Sequence, residues 1–412
     1  MRKQVVLSIL DQAALSAMSL GLNIVLIALA SPEQFGHFVL LFSGLIFATS
    51  AQNALIFTPL NVLLPGRDAA EQARQLAMLT TINVLTITVA ALAGLALAAL
   101  LAAGPWLVAA SALYYATGLM REYARNLFIV RDNVERALVL DGLQMALAAP
   151  AIGGLWLATD PVTAVVGGVS IANLLAMLAC RQDFHWDLRH FGRHWSEYGE
   201  HWRQTRWALQ GAAQTEAQTR GYVFFTQAWK GPAALATLQA GRVLLAPLIL
   251  IAGAWGRVAR PRLVALFHRE PGASGFGVLS GGIVTVTGAS MIYGLVILLF
   301  WPLIETLVFK DKYPDMSGIV ALWWAQALFA SINVALGTLL QARQQFRGLA
   351  LVGMAGAVGS LLALMALMLT ALPVTSALFV LIASELLCGL GYLGLIFCTR
   401  LPARLVPREL TP

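Results

Sequence analysis

Long apolar segments alternate with short connections along the whole chain, and this pattern limits what the chain can fold into. We predict twelve apolar spans, at 5–29, 37–58, 76–101, 105–130, 137–158, 161–180, 207–229, 233–256, 277–303, 317–341, 348–369 and 374–398. Several exceed the roughly 20 residues that a helix needs to cross a hydrocarbon core of about 30 Å. With 59% apolar and 11% charged residues, the composition is also far from that of a globular domain. The sequence therefore predicts an all-α polytopic membrane protein with twelve transmembrane helices.

Basic residues are concentrated at the ends of the chain and in every second connection. The opposite connections carry only Lys230, Lys310 and Lys312. Because loops rich in arginine and lysine stay in the cytoplasm, one orientation fits all twelve spans and places both termini there. The same asymmetry accounts for the formal net charge of +7, so the charge does not indicate nucleic-acid binding.

Six spans precede a charged and aromatic segment at 181–206, and six follow it. Apolar side chains recur in that segment every three or four residues: Phe184, Leu188, Phe191, Trp195, Tyr198 and Trp202. An aromatic stripe opposite charged residues is typical of a helix lying in the inner-leaflet interface. We predict an N-lobe at 1–180 with helices 1–6, this connector, a C-lobe at 207–400 with helices 7–12, and a cytoplasmic tail at 401–412.

The sequence carries no motif of hydrolytic or nucleotide chemistry. There is no phosphate-binding glycine loop with a lysine, no serine nucleophile elbow and no metal-ligand cluster. The histidines of the connector offer a metal site as an alternative, but no carboxylate or thiolate is organised around them. The external connections are too short for a catalytic domain. We predict no catalytic residues, no metal, no cofactor and no enzyme activity.

Arginine residues occur deep inside three spans. Arg121 lies about 15 Å from the cytoplasmic end of the fourth span, too deep to mark topology alone, and Arg125 lies one turn closer to that end. Arg220 and Arg242 each lie eleven residues from Gly231, the apex between the seventh and eighth spans, at about 15 Å depth. Arginines at one depth on adjacent helices repel each other, so an anion would favour their retention. Phosphate fits, because a guanidinium binds it through two parallel hydrogen bonds.

Uncharged and acidic polar residues also lie inside the spans. In the first span Gln12, Ser16, Ser19 and Asn23 share one face, which favours a cavity lining over helix packing. The predicted polar cavity positions are Gln12, Asn23, Gln52, Asn53, Gln210 and Gln214. The candidates for coupling to a proton or sodium gradient are Asp11, Glu216 and Glu385. Glu216 and Arg220 form either a neutralising pair or part of a pathway, and Asp141 is interpreted as structural.

Three segments resemble polysaccharide exporters of the Wzx type, in the multidrug/oligosaccharidyl-lipid/polysaccharide (MOP) superfamily. They are the end of the first span, Ala28 to Gly36, the end of the second, Gln52 to Leu60, and the pattern Arg121, Arg125, Arg131. The resemblance implies a MATE-like, two-lobe, V-shaped bundle that moves lipid-linked glycans across the bacterial inner membrane. It also implies a cationic central cavity, to which Arg121, Arg220 and Arg242 would contribute.

We therefore predict a flippase for polyprenyl-diphosphate-linked oligosaccharide, in exopolysaccharide, capsule or O-antigen biosynthesis. Arg121, Arg220, Arg242 and Arg125 would bind the diphosphate. The predicted partners are an undecaprenyl-diphosphate-linked glycan, membrane lipid and other polysaccharide assembly proteins. One alternative is a drug or cation antiporter on the same fold, which would favour acidic groups at mid-depth. Another is a membrane-embedded polysaccharide polymerase or ligase, which would need a large loop that holds catalytic groups.

Overall fold

The structure is a computed structural model that describes residues 2–63, 68–101, 103–180, 191–270, 273–310, 312–313 and 315–398. Within these ranges all regular structure is helical. The helices are α1 Arg2–Leu29, α2 Pro32–Gln52, α3 Thr58–Leu63, α4 Ala69–Leu100, α5 Pro105–Val130, α6 Val134–Trp156, α7 Pro161–Ala179, α8 Phe191–Val243, α9 Ala246–Arg269, α10 Phe276–Leu299, α11 Trp301–Ile304, α12 Met316–Ala342, α13 Phe346–Met368 and α14 Ser376–Cys398. The predicted class, an all-α polytopic membrane protein, is confirmed.

Each predicted span falls on helical segments, but not every span is apolar enough to be recognised alone. In the described ranges nine helices are long and apolar enough to cross a membrane. The bent pair Thr205–Val243 and Ala246–Arg269, with 52° between its two parts, meets the same criteria only when the two parts are taken together. Helix α5 is not among the nine, because charged and polar side chains such as Arg121, Glu122 and Arg125 lower its hydropathy. The cytoplasmic position of the termini stays a prediction.

The turn between α1 and α2 is set by a local sequence signal. Ser31 Oγ accepts a hydrogen bond from the backbone N–H of Gln34 at 3.2 Å, and Gln34 Oε1 accepts one from the N–H of Ser31 at 3.0 Å. This reciprocal cap, with Pro32 at the first helical position, satisfies N–H groups that a helix start leaves unpaired. Part of the family-like segment Ala28 to Gly36 thus has a structural role as a helix start.

A π-helical turn at Asn53–Phe57 separates α2 from α3. Pro59 follows it and has no N–H to donate to the preceding turn. The carbonyl oxygen of Leu55 instead accepts a hydrogen bond from Tyr198 Oη of α8 at 2.9 Å. Tyr198 is buried in a cluster with Phe57, Met78 and other apolar residues, so it joins the start of α8 to α2 and α4.

The helix α8 runs through the second part of the predicted connector. Residues 181–190, including Phe184 and Leu188, lie outside the described residues. Of the described aromatic residues, Tyr198 is buried whereas Trp195 and Trp202 are 55% and 44% exposed. The two tryptophans therefore remain free to enter a bilayer interface, and that location stays a prediction. The helix is interrupted at Gly231, whose φ of 81° favours glycine.

The chain forms two compact units, Met1–Glu216 and Ala217–Pro412, which are called the N-terminal and C-terminal units below. The lobe bounds predicted from the sequence remain predictions. In the N-terminal unit α5 packs against α4, α6 and α7, and α1 packs against α6. In the C-terminal unit α12 is central and packs against α9, α10 and α14. Arg343, 4% exposed, donates to the carbonyl oxygens of Ile396 and Ser274 and so links the ends of α14 and α10 to α12.

Candidate functional site

The N-terminal unit contains a cavity of about 400 Å³ between α1, α2, α5, α6 and α7. Its polar wall is formed by Gln12, Asn23, Arg121, Arg125, Gln144 and Asn173. Phe38, Phe42 and Tyr114 form part of the apolar wall. The volume lies within the ~300–1,000 Å³ range of small-molecule sites. The cavity, which is called the N-cavity below, is therefore large enough for a ligand.

Both arginines of the N-cavity are held by buried carboxylates. Arg121 Nη1 donates to Oδ1 of Asp141. Arg125 Nε donates to Oδ2 of Asp141 at 2.6 Å, and its Nη2 donates to Oδ2 of Asp11 at 2.8 Å. Glu122 lies 3.7 Å from each guanidinium. Two guanidinium groups thus face three carboxylates, a formal charge of 2 − 3 = −1.

The positions of these groups follow from the helices that carry them. Arg121 and Arg125 are one turn apart on α5, so both point toward the same neighbouring helix surface. Asp141 of α6 is completely buried and receives both of them, and Asp11 of α1 is 7% exposed. A buried guanidinium without a counter-ion is costly, and the shared carboxylates remove that cost. The arrangement accommodates an uncharged or cationic ligand more easily than an additional anion.

Arg242 in the C-terminal unit has a different environment. It is half-buried on α8, and its Nη1 donates to Tyr222 Oη at 3.1 Å. The guanidinium carbon lies 5.5 Å from the ring centre of Tyr222 and 5.4 Å from that of Trp323. Tyr222 Oη in turn donates to Gln239 Oε1 at 2.6 Å. No carboxylate of the described residues forms an ion pair with Arg242, so its charge is met only by aromatic faces and a hydroxyl oxygen.

Glu385 is the deep carboxylate of the C-terminal unit. Its Oε2 accepts from Asn333 Nδ2 at 2.7 Å, and its Oε1 accepts from Gln326 Nε2 at 3.2 Å, both on α12. Neutral amides therefore hold this carboxylate, a setting in which a bound proton or small cation can change its charge. In the described residues no group of three or more His, Cys, Asp or Glu side chains is arranged to hold a metal ion.

No family model and no curated protein matches the sequence. The fold is similar to that of a lipid II flippase, MurJ, in an inward closed conformation, with a TM-score of 0.69 and 12% identity over 96% of this chain and 88% of that one. It is also similar to an inward-facing multidrug resistance MATE family transporter of the MOP superfamily, with a TM-score of 0.62 and 12% identity over 91% and 92%. The chain has the fold that these proteins share, which is called the MOP fold below. A MATE structure in complex with MaD3S has a TM-score of 0.53 and 13% identity over 95% and 94%.

This fold agrees with the fold that the resemblance to polysaccharide exporters implies. The chains that share it are described as a flippase and as MATE proteins. At 12–13% identity the likeness extends to the fold alone. The Wzx type within the superfamily stays a prediction.

The MOP fold brings only some of the predicted polar residues to the N-cavity. Gln12 and Asn23 line it beside Arg121 and Arg125. Gln52 is completely buried away from it, where its Nε2 donates to Asn83 Oδ1 and to the carbonyl oxygen of Leu119, each at 2.8 Å. That amide links α2, α4 and α5, which is a packing role.

The remaining predicted residues do not line the N-cavity. Asn53 is exposed at the π-helical turn, Gln210 is exposed on α8, and Gln214 is half-buried there. Glu216 Oε1 accepts from Ser50 Oγ of α2 at 2.6 Å. Arg220 is half-buried on α8 in the C-terminal unit.

Gln144 and Asn173 line the N-cavity but were not among the predicted cavity positions, and Asp141, which was interpreted as structural, holds both arginines of the cavity. For Asp141 the signal was the need for a counter-charge near two buried arginines on one face of α5. Asn173 is an isolated amide in the apolar helix α7, and its sequence context gives no comparable signal.

Proposed function

We propose that this protein is a flippase that moves polyprenyl-diphosphate-linked oligosaccharides across the bacterial inner membrane. The substrate would be an undecaprenyl-diphosphate-linked glycan used in exopolysaccharide, capsule or O-antigen biosynthesis, in concert with other polysaccharide assembly proteins. Two observations support a lipid-linked substrate: the MOP fold, which a lipid II flippase shares, and the environment of Arg242.

The observation that carries the proposal is a half-buried guanidinium that has no carboxylate partner among the described residues. Arg242 lies about 15 Å along the helix from Gly231, so it lies near the middle of a bilayer. A guanidinium has five N–H donors, and the hydroxyl of Tyr222 accepts from only one nitrogen of Arg242. A diphosphate has the charge and the acceptor geometry to use the remaining donors.

The other charged residues have secondary roles in this proposal. Arg220, in the same unit, is the second proposed phosphate ligand. Arg121 and Arg125 are less available, because Asp11 and Asp141 already accept from them. Coupling to a proton or sodium gradient would act through Asp11, Glu216 or Glu385. Directional transport requires that the bound ion changes the relative stability of inward and outward states.

The test is flipping of a fluorescent polyprenyl-diphosphate-linked oligosaccharide in proteoliposomes. Arg242→Gln should reduce the flipping rate at least ~tenfold, because a charge-assisted hydrogen bond contributes about 1.5–3 kcal/mol. Arg242→Lys should retain part of the rate, because the charge remains while the paired hydrogen-bond geometry is lost. The control Arg257→Gln removes an exposed arginine of α9 and should behave like wild type. Wild-type flipping by Arg242→Gln would show that this guanidinium does not hold the diphosphate.

Export of organic cations is the second candidate function. It is favoured by the formal charge of −1 around the N-cavity arginines and by the deep carboxylate of Glu385. Three structures with the same fold are MATE proteins. Efflux of ethidium by cells that express the protein, with no flipping of the lipid-linked sugar, would place this function first.

A further inference from the structure

The N-cavity has two hydrogen-bond acceptors that have no partner in the part of the chain that the structure describes. Gln144 of α6 and Asn173 of α7 line it, and each is 3% exposed. Gln144 Oε1 and Asn173 Oδ1 accept no hydrogen bond from any described residue. The contact of the Gln144 amide nitrogen with Met18 Sδ, at 3.8 Å, is a weak one. A buried amide oxygen is costly to leave without a donor, so these two atoms point to a ligand that donates hydrogen bonds.

The charges around the same cavity restrict the kind of donor. Arg121 and Arg125 are compensated by Asp11 and Asp141, and with Glu122 the group has one negative charge in excess. A ligand carboxylate placed here would face like charges in a low dielectric. An uncharged hydroxyl-bearing group avoids that repulsion. Its O–H groups can donate to the amide oxygens, while its oxygens can accept from guanidinium N–H groups.

The apolar walls of the N-cavity suit the same class of ligand. Phe38, Phe42 and Tyr114 line it beside the polar groups. A pyranose ring presents C–H groups on its faces and hydroxyl groups on its rim, so it matches a wall with aromatic and amide parts.

We propose that the N-cavity is a saccharide subsite for uncharged sugars, with Gln144 and Asn173 as hydroxyl acceptors, and that it discriminates against uronic acids. The proposal rests on the proposed flippase function, and the N-cavity would hold a neutral part of the glycan. The carboxylates around the cavity thereby favour uncharged sugars, whereas the arginines alone would suggest an anionic ligand.

The first test is equilibrium binding of free sugars to the purified full-length protein. The probes are a panel of neutral trisaccharides built from hexose and N-acetylhexosamine units, compared with trigalacturonate. At least one neutral trisaccharide should bind, and trigalacturonate should bind at least ~tenfold more weakly because of like-charge repulsion. Binding of none of the neutral probes, or tighter binding of trigalacturonate, overturns the proposal. This comparison needs no variant and is independent of any effect on folding.

The second test uses variants that remove the acceptors. Asn173→Leu and Gln144→Met should each weaken binding of the neutral probe about five- to tenfold, the equivalent of one hydrogen bond. Gln75→Met is the matched control. Gln75 is a buried amide of α4 whose Oε1 also has no partner, but it does not line the N-cavity. Unchanged binding by both cavity variants, or an equal loss in Gln75→Met, overturns the assignment.

Flipping assays separate this proposal from the proposed function. If the neutral probe binds as expected while the wild type flips no lipid-linked oligosaccharide, the flippase function fails and the saccharide subsite stands. If Arg242→Gln abolishes flipping while Asn173→Leu and Gln144→Met bind the probe like wild type, the flippase stands and the subsite fails.

Discussion

Arg125 of α5 donates to Asp11 of α1 at 2.8 Å, across 114 residues of sequence. The same guanidinium donates to Asp141 of α6. One side chain therefore ties three helices of the N-terminal unit together and fixes one end of the N-cavity. Because Asp11 is both a partner of Arg125 and a proposed coupling residue, a change of its charge would loosen α1 from α5.

Removal of the shared carboxylate should strongly destabilise the N-terminal unit. Asp141→Asn leaves Arg121 and Arg125 with too few anionic partners inside the bundle, and breaking a buried ion pair costs about 3–5 kcal/mol. We expect a clearly lowered melting temperature of the purified protein. Asp68→Asn is the control, because Asp68 caps α4 at the surface and asparagine caps as well as aspartate. A melting temperature of Asp141→Asn equal to that of the control would contradict a structural role for the network.

The hydroxyl of Tyr198 should contribute more than a comparable buried hydroxyl. Tyr198→Phe removes the donor to the Leu55 carbonyl, and Pro59 has no N–H that could replace it. We therefore expect the free energy of unfolding to fall by about 1–3 kcal/mol. Tyr115→Phe is the matched control, because Tyr115 donates to the Leu41 carbonyl at 2.7 Å inside α2. Because the Leu41 carbonyl keeps its helical partner, Tyr115→Phe should lower the thermal stability less than Tyr198→Phe does. Equal losses of thermal stability would show that Pro59 does not matter.

The attachment of α8 to α4 should be independent of pH between 5 and 8. Hydrogen bonds from Arg74 at 2.8 Å and Arg193 at 2.9 Å lower the pKa of Glu197 to about 2. A depressed carboxyl pKa stabilises the folded state above the unfolded pKa of about 4.3, and that contribution is lost only as the pH falls toward about 2. The difference in melting temperature between wild type and Glu197→Gln should therefore stay constant over this range. If the difference in melting temperature between wild type and Glu197→Gln shrinks from pH 8 to pH 5, Glu197 is not paired as described.

Glu385→Gln should separate transport from its driving ion. The substitution keeps the shape and one acceptor oxygen for the amides of Asn333 and Gln326, but it removes the carboxylate that can bind a proton or sodium. We expect that an imposed proton or sodium gradient no longer accelerates flipping in proteoliposomes. Glu305→Gln, at an exposed position of the π-helical turn Glu305–Phe309, is the control and should keep the response. If the response of Glu385→Gln equals that of the control, coupling lies elsewhere.

Local signals predicted individual elements well. The break at Gly231 and the apolar length of α4, α7 and α14 were predicted from neighbouring residues, whereas the capping box at Ser31 and Gln34 was not. The least apolar spans, α5 and the first part of α8, were predicted as spans from the spacing and loop charges, because hydropathy alone is weak there.

Side-chain partners across helices could not be predicted in the same way. Gln52 and Gln12 both lie in apolar spans, yet Gln52 is packed against Asn83 while Gln12 lines the N-cavity. The difference depends on which face of each helix meets a neighbour. The pattern of polar and apolar residues along one helix shows which residues share a face. It does not show which neighbouring helix covers that face.

The sequence by itself determined that this protein is a bundle of membrane-spanning helices and that arginines lie deep inside them. It did not determine all of the helix ends, because the predicted span 233–256 crosses the break between α8 and α9. Backbone hydrogen bonding and the transfer of apolar residues into lipid are local effects, so they can be read span by span. Only the tertiary structure decided that Arg121 and Arg125 are compensated by Asp11 and Asp141 whereas Arg242 lies against Tyr222 and Trp323. The effective charge of a buried arginine depends on the side chains that helix packing brings within a few ångströms, and those side chains come from distant parts of the chain.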